Sequence, residues 1–256
     1  MKRALVIGGA NGIGLSIATE LAKRNDYEKI YIVDKANIEE KNNHAKFDYC
    51  SFDLTSNDYS FFDRFADIDT LMITAGFGRL ALFKDLDEQY IIQSMNVNAT
   101  AVMRIIHHFF HKISDEKDFY CGVMVSIAGF MSSPFFSVYG ASKAALKIFI
   151  ESINVELEKN GTTNRILNVS PGSIKGTSFN NGKTDLLQTS ELANAIILPT
   201  VMEYNAEATG EKYREIARAM GVAGVDAMSQ EEYRKAAVDA VKKLSADVGI
   251  PADLKG

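Results

Sequence analysis

Short apolar runs alternate with amphipathic stretches through the first two thirds of the chain. Residues 4–7, 29–33, 47–52, 70–74, 122–126 and 165–169 are runs of four to six residues rich in Val, Ile, Leu and Phe, and each reads as a buried strand. Between them lie stretches with apolar residues at helical spacing: from the glycine-rich turn at 8–14 through about Arg24, over 100–112, and over KAALKIFIESINVEL from Lys143. Strand, helix and strand in alternation predict an α/β fold, a doubly wound, mainly parallel sheet of about six strands with helices on both faces.

Beyond about residue 190 the pattern changes. All fifteen phenylalanines precede residue 180, and the tail is rich in alanine and alternating charge. Residues 211–220, stopped by Gly221, predict one helix. Ser229-Gln-Glu-Glu232 is a capping box ahead of another. Tyr233, Ala237, Val241, Leu244 and Val248 form its apolar stripe, and Gly249 and Pro251 end it. Such helices require a surface against which to bury that stripe.

Composition narrows the picture. With 256 residues, 46% hydrophobic and 24% charged, the chain can bury one large core or two smaller ones. A net charge of -5 offers no electrostatic case for nucleic acid or an anionic membrane. No apolar stretch approaches a membrane span, and the first strand follows Met1-Lys-Arg directly, leaving no room for a signal peptide. Cys50 and Cys121 sit in strand-like runs, as reduced thiols of a cytoplasmic protein would.

The candidate chemistry collects where strands end. Gly8, Gly12 and Gly14 let the backbone turn tightly and approach a pyrophosphate, with Asn11 and Ile13 between them at the start of a helix. Asp34, about twenty residues on, can accept hydrogen bonds from an adenosine ribose and repel a 2′-phosphate. Lys35 follows with no arginine nearby, which favours NAD over NADP. Tyr139 and Lys143 lie four apart on one helix face. A free phenol ionises near ~10, and lowering it to neutrality costs about 4 kcal/mol, which an adjacent ammonium and a second cation could supply. Ser126 ends an apolar run, placed to bind a substrate oxygen. Tyr-x-x-x-Lys alone is more readily a surface Tyr and Lys at the start of an ordinary helix. His107, His108 and His111 suggest a metal, but no Glu accompanies them as in H-E-x-x-H, and the surrounding Ile and Phe favour a packed or interface helix.

Together, G-x-x-x-G-x-G after the first strand and Ser126, Tyr139 and Lys143 at this spacing resemble the short-chain dehydrogenases/reductases up to about residue 192. The resemblance implies a Rossmann-like sheet whose seventh strand is missing here, and a hydride exchanged between NAD(H) and a carbonyl or secondary alcohol. It implies Tyr139 as acid or base, Lys143 on the nicotinamide ribose, Ser126 on the substrate oxygen, and Asn98 in a proton relay. It puts Asp53 and Leu54 beside the adenine, though Asp53 could equally begin the next turn and helix. Ala75 and Gly76 approach the nicotinamide half, and Pro171, Gly172, Ile174 and Thr177 the carboxamide side. Ile7 departs from the usual Thr, which should loosen the glycine loop. Thr74 stands where the family reads Asn. Residues 129–138 either line a hydrophobic substrate site or pack in the core. The resemblance also implies a homodimer through the helices at 100–112 and 140–158.

Residues 193–256 are similar to the helical domain of iron-dependent alcohol dehydrogenases, through L-P-x-V-M-x-Y-N, T-G-E-K-Y and D-V-G-I-P. That family's histidine ligand is matched by Ser190, and the tail has no histidine or cysteine, so iron chemistry from it is excluded and no metal is expected. The expectation is therefore a chimera, with residues 1–192 as the dinucleotide-binding catalytic domain and 193–256 as a helical segment. A non-catalytic NAD-binding or scaffold protein is the competing reading.

Overall fold

The computed structural model describes residues 1–114, 118–172, 198–199 and 201–247. These form two compact units, one built on Met1–Val169, the other on Ser170–Gly172 and the described residues from 198 onward.

In the first unit, six strands form one parallel sheet in the order β3-β2-β1-β4-β5-β6: β1 (Lys2–Ile7), β2 (Tyr27–Asp34), β3 (Phe47–Ser51), β4 (Thr70–Ile73), β5 (Tyr120–Met124) and β6 (Ile166–Val169). β1 is central, and Ala4, Leu5, Val6 and Ile7 are all buried on both faces, as the uninterrupted apolar run requires. Helix α1 (Gly12–Lys23) buries its small residues Gly14, Ala18 and Ala22 fully, with Ile17 and Leu21 packed partly buried beside them. Ala18 and Ala22 pack with Ala4, Val6, Ile30, Ile32 and Met72. Ile7 pairs with Val33 on one side and Ile73 on the other. Strand order therefore reverses between β1 and β4, and their carboxyl ends open the crevice where open α/β sheets bind ligands.

Connections on the β4–β6 half build the rest of the site. Asp87 caps helix α2 (Glu88–Met95) by accepting the Tyr90 amide at 2.6 Å. Residues Asn96–Thr100 then form a π-helical turn leading into α3 (Ala101–His108). Phe109 breaks the helix expected over 100–112, and a short α4 (Phe110–Ile113) follows. Helix α5 (Ser137–Lys159) carries Tyr139 and Lys143 in its first two turns.

Between β3 and β4 the expected helix is only a 3-10 segment, Ser60–Phe65. Phe62 and Phe65 are buried there amid a cluster of rings with Phe52, Tyr59 and Phe61. Arg104 of α3 lies 3.6 Å over the Tyr59 ring and donates to the Ser56 and Asn57 carbonyls at 2.9 and 2.7 Å, fastening a crossover that has few ladder bonds of its own.

His108 faces Asp63 at 3.5 Å and packs on Phe62 and Phe109. Among the described residues no cluster of His, Cys, Asp or Glu could hold a metal ion. Neither cysteine is in a disulfide, and burial pushes the Cys121 thiol up to about 12, leaving it unreactive. Among the described residues no helix is long and apolar enough to cross a membrane.

The second unit buries its stripe against itself. Helical residues 201–205, Lys212–Ala219 and Gln230–Asp247 share a core of Met202, Tyr213, Ala217, Val225, Tyr233, Ala237, Val238 and Val241. The capping box is reciprocal: the Ser229 amide donates to Glu232 at 2.7 Å, and the Glu232 amide donates to the Ser229 hydroxyl at 3.3 Å. Leu244 lies half-exposed, and Val248 falls outside the described residues. Tyr233 is fully buried beneath the Arg214 guanidinium, 4.3 Å from its ring centre. Truncating it to alanine is expected to cost about 3–5 kcal/mol. In native-state hydrogen exchange, amides of Lys212–Ala219 and Gln230–Asp247 in Tyr233→Ala should lose protection by at least about a hundredfold.

Candidate active site

The glycine-rich turn follows β1 directly. Gly8 adopts a left-handed conformation (φ +85°), and a side chain there would strike the Ala75 backbone at 2.5 Å. Gly14 is confined by contact instead: a Cβ would fall 2.1 Å from the Gly8 carbonyl and 2.5 Å from the Thr74 hydroxyl. Asn11 stands at the amino end of α1 without capping it through its side chain. Gly12 and Ile13 open the helix half-exposed. The Asp34 carboxylate accepts the Ala10 amide on one oxygen and the Ala36 amide on the other, each at 3.0 Å, so the acid ending β2 is tied to the glycine loop. Two amide bonds leave lone pairs on both oxygens for a ligand hydroxyl. A cradle closed to any Cβ, at a helix amino terminus beside this carboxylate, fits a dinucleotide.

Asp53 lies beyond β3 and accepts both the amide and the hydroxyl of Thr55 at 2.8 Å, with Lys35 at 3.7 Å. These bonds hold its carboxyl below the usual range and make it the start of a turn. Leu54 beside it is half-buried, its carbonyl accepting the Tyr59 hydroxyl at 2.8 Å.

On the other side of the crevice, β5 ends at Met124, so Ser126 stands two residues past the strand rather than at its end. It starts a 3-10 turn by accepting the Ala128 amide at 3.2 Å, and its hydroxyl faces the Tyr139 phenol, whose pKa it acts to lower. Tyr139 is buried and packs on Phe136, their ring centres 5.7 Å apart. Lys143, 3% exposed, sets its Nζ 5.8 Å from the Tyr139 ring centre and donates to the Met124 carbonyl at 3.0 Å. Gly76 comes so close that a Cβ would sit 3.1 Å from Asn98 Oδ1 and 3.4 Å from Lys143 Nζ. Ser126, Tyr139, Lys143, Ala75, Gly76 and Asn98 thus converge beside the glycine turn.

Asn98 sits on the π-helical turn, fully buried. Its Oδ1 accepts the Phe77 amide at 3.0 Å. Its Nδ2 donates to the Phe77 carbonyl at 2.8 Å, with the Ser142 and Ser94 hydroxyls at 3.2 and 3.3 Å. These bonds fix the side chain between the Phe77 backbone and helix α5, and the proton relay stays what the resemblance implies for it. It holds the backbone after Gly76 in place.

Burial decides the electrostatics. The Tyr139 phenol is pushed above its ordinary value by desolvation, which outweighs the lowering by the Ser126 hydroxyl. The sequence-based expectation of a phenol lowered by Lys143 is therefore reversed. The ammonium is itself desolvated, and its pKa falls to about 8.

Pro171 and Gly172 follow β6, half-buried, while Ile174 and Thr177 lie outside the described residues. Residues 130–136 adjoin the crevice. Phe135, at φ +70°, is half-exposed, and its carbonyl accepts the Ala81 amide at 3.1 Å. Sequence reasoning missed Ser142, which relays Asn98 to the Tyr139 carbonyl at 2.7 Å, and the Thr74 hydroxyl. A helical hydroxyl three residues after Tyr139, able to reach back along its own turn, was the available signal for Ser142.

Strand order, glycine cradle and acid at the end of β2 define a nucleotide-binding protein of Rossmann type. The short chain dehydrogenase family model matches residues 2–187, and the chain belongs to that family. Residues 191–256 match a second model, the C-terminal part of the Fe-containing alcohol dehydrogenase family.

Lactaldehyde reductase of Escherichia coli (strain K12) is 64% identical over 64 residues, which are 25% of this chain and 16% of that protein. The chain thus spans about a sixth of that relative's length. An uncharacterized oxidoreductase of Saccharomyces cerevisiae is 27% identical over 224 residues, covering 79% of this chain and 70% of its own. Among solved structures, an alcohol dehydrogenase from the archaeon Thermococcus sibiricus, complexed with 5-hydroxy-NADP, shares the fold with a TM-score of 0.63 at 22% identity. The match covers 77% of this chain and 88% of that one.

Proposed function

We propose that the chain is a cytoplasmic oxidoreductase that interconverts a carbonyl and a secondary alcohol with NAD(H). The observation that carries the reading is the convergence of Ser126, Tyr139 and Lys143, all three buried, beside the glycine turn. Ser126 orients the substrate oxygen, and Tyr139 donates its phenolic proton in reduction and takes it back in oxidation. Lys143, with ammonium hydrogens beyond the one given to Met124, holds the ribose hydroxyls. Asn98 positions the Gly76–Phe77 backbone. Ala75 and Gly76 face the nicotinamide side. The nicotinamide, when bound, supplies or accepts the hydride.

Asp34 favours NAD because a 2′-phosphate would meet its charge. A hydrophobic substrate agrees with Phe136 against Tyr139 and with Phe135 at the crevice. A homodimer is supported by a groove of about 600 Å³ lined by Met103, Ile106, Phe110, Phe149 and Ile153 of α3, α4 and α5. The two adjoining family matches support a chimeric origin, with the domain boundary near residue 192.

Thermal shift with NADH and NADPH tests the reading. NADH at a hundred times its Kd is expected to stabilise the protein by about 2.7 kcal/mol, and NADPH at the same concentration by far less. No shift with either would overturn the cofactor site. Equal shifts would overturn the selection by Asp34.

A further inference from the structure

We infer that Thr74 is a positioning residue for the dinucleotide, its hydroxyl anchoring the glycine-rich turn across the gap between β4 and β1. This rests on the reading that the turn binds a dinucleotide. Thr74 follows β4 and is half-buried, and its Oγ1 stands 3.0 Å from the Ile7 carbonyl and 3.1 Å from the Gly8 carbonyl.

The Ile7 carbonyl is already served by the Thr74 and Ala75 amides at 2.8 and 3.0 Å. Among the described residues the Gly8 carbonyl has no other donor, so the single hydroxyl proton answers the greater need there. Gly8 is the left-handed residue at which the turn departs from the strand, and its peptide plane sets the direction of the loop. The missing Cβ of Gly14 leaves the space that the Thr74 hydroxyl occupies, 2.5 Å from where that atom would be, at the amino end of α1. The hydroxyl thus fixes the Gly8 carbonyl on the inner side of the turn, and the amides at the amino end of α1 remain for the anion.

Isosteric removal should therefore weaken cofactor binding more than it disturbs the fold. NADH affinity, measured by fluorescence titration alongside the melting temperature of the ligand-free protein, separates the two. Thr74→Val is expected to raise the Kd for NADH about tenfold, and Thr74→Ser, which keeps the hydroxyl, to stay within about twofold of wild type. Thr74→Ala carries the same expectation as the valine variant and serves if that one fails to fold.

A lowered melting temperature with unchanged Kd in the hydroxyl-free variants would make the role merely structural and overturn the inference. So would a serine variant as weak as the valine one. If the wild type binds neither NADH nor NADPH, the dinucleotide reading falls and the inference with it. If the wild type binds and Thr74→Val binds as tightly, the inference alone falls.

Discussion

Tyr139→Phe is expected to lower the turnover number for ketone reduction by about 10²–10⁴-fold while leaving NADH affinity within about twofold. The ring is buried against Phe136, and phenylalanine keeps that packing, so the change removes the one oxygen that faces Ser126 and little else. Steady-state assays over a panel of ketones and diketones, with NADH titration alongside, check both halves. Unchanged turnover would place the proton donor elsewhere.

The raised phenol also gives the reaction a direction in pH. Reduction uses the protonated phenol, which burial preserves beyond neutrality. Oxidation needs the phenolate, so its rate should climb as pH rises toward the phenol's raised value.

Lys143→Met should stabilise the protein at pH 7 while impairing it as an enzyme. In the folded chain desolvation lowers the ammonium from the ordinary 10.5 to about 8, a difference that corresponds to roughly 3 kcal/mol spent on keeping a charge buried. A lysine whose folded value is depressed releases its proton earlier when folded than when unfolded. Between about 8 and 10.5 the unfolded state binds more protons, and the lysine's contribution makes stability rise with pH.

Tyr139 and Cys121 act oppositely at alkaline pH, because their folded values are raised. The difference between wild type and Lys143→Met isolates the lysine. Denaturant unfolding from pH 7 to 10 should show the variant more stable by about 3 kcal/mol at pH 7, with the gap closing above pH 8. A constant gap would mean that the ammonium is not desolvated as its burial implies. A gain in stability at a site the reaction needs is the usual exchange between stability and activity.

The sheet was legible because its strands are short runs with their own turn signals, doubly buried and apolar at the centre in β1 and β4, and parallel order follows from the alternation. Helix breaks were not. The π-helical turn at Asn98 and the break at Phe109 depend on tertiary contacts that periodicity over 100–112 does not carry. The crossover after β3, expected as a turn and helix, folds around Phe52, Phe62 and Arg104 instead.

Site residues identified by spacing did converge, whereas the direction of the Tyr139 shift was misread. Charge proximity along a helix is visible in sequence, and desolvation is visible only once the walls are in place. Ile7 and Thr74 read as two separate losses until the structure put the Thr74 hydroxyl on the Ile7 and Gly8 carbonyls. The tail's stripe was recognised, but its partner surface turned out to be the tail's own helices.

Asn98 grips both the amide and the carbonyl of Phe77 while donating toward Ser142, whose hydroxyl in turn holds the Tyr139 carbonyl. A single carboxamide here imitates a neighbouring strand one residue long, and its reach extends to the turn of helix that aims the phenol. Substitutions at 98 and 142 cannot add, since whichever comes first releases much of what the second would have released. For anyone reshaping the crevice toward a new substrate, these positions are therefore one variable, to be changed together or left alone.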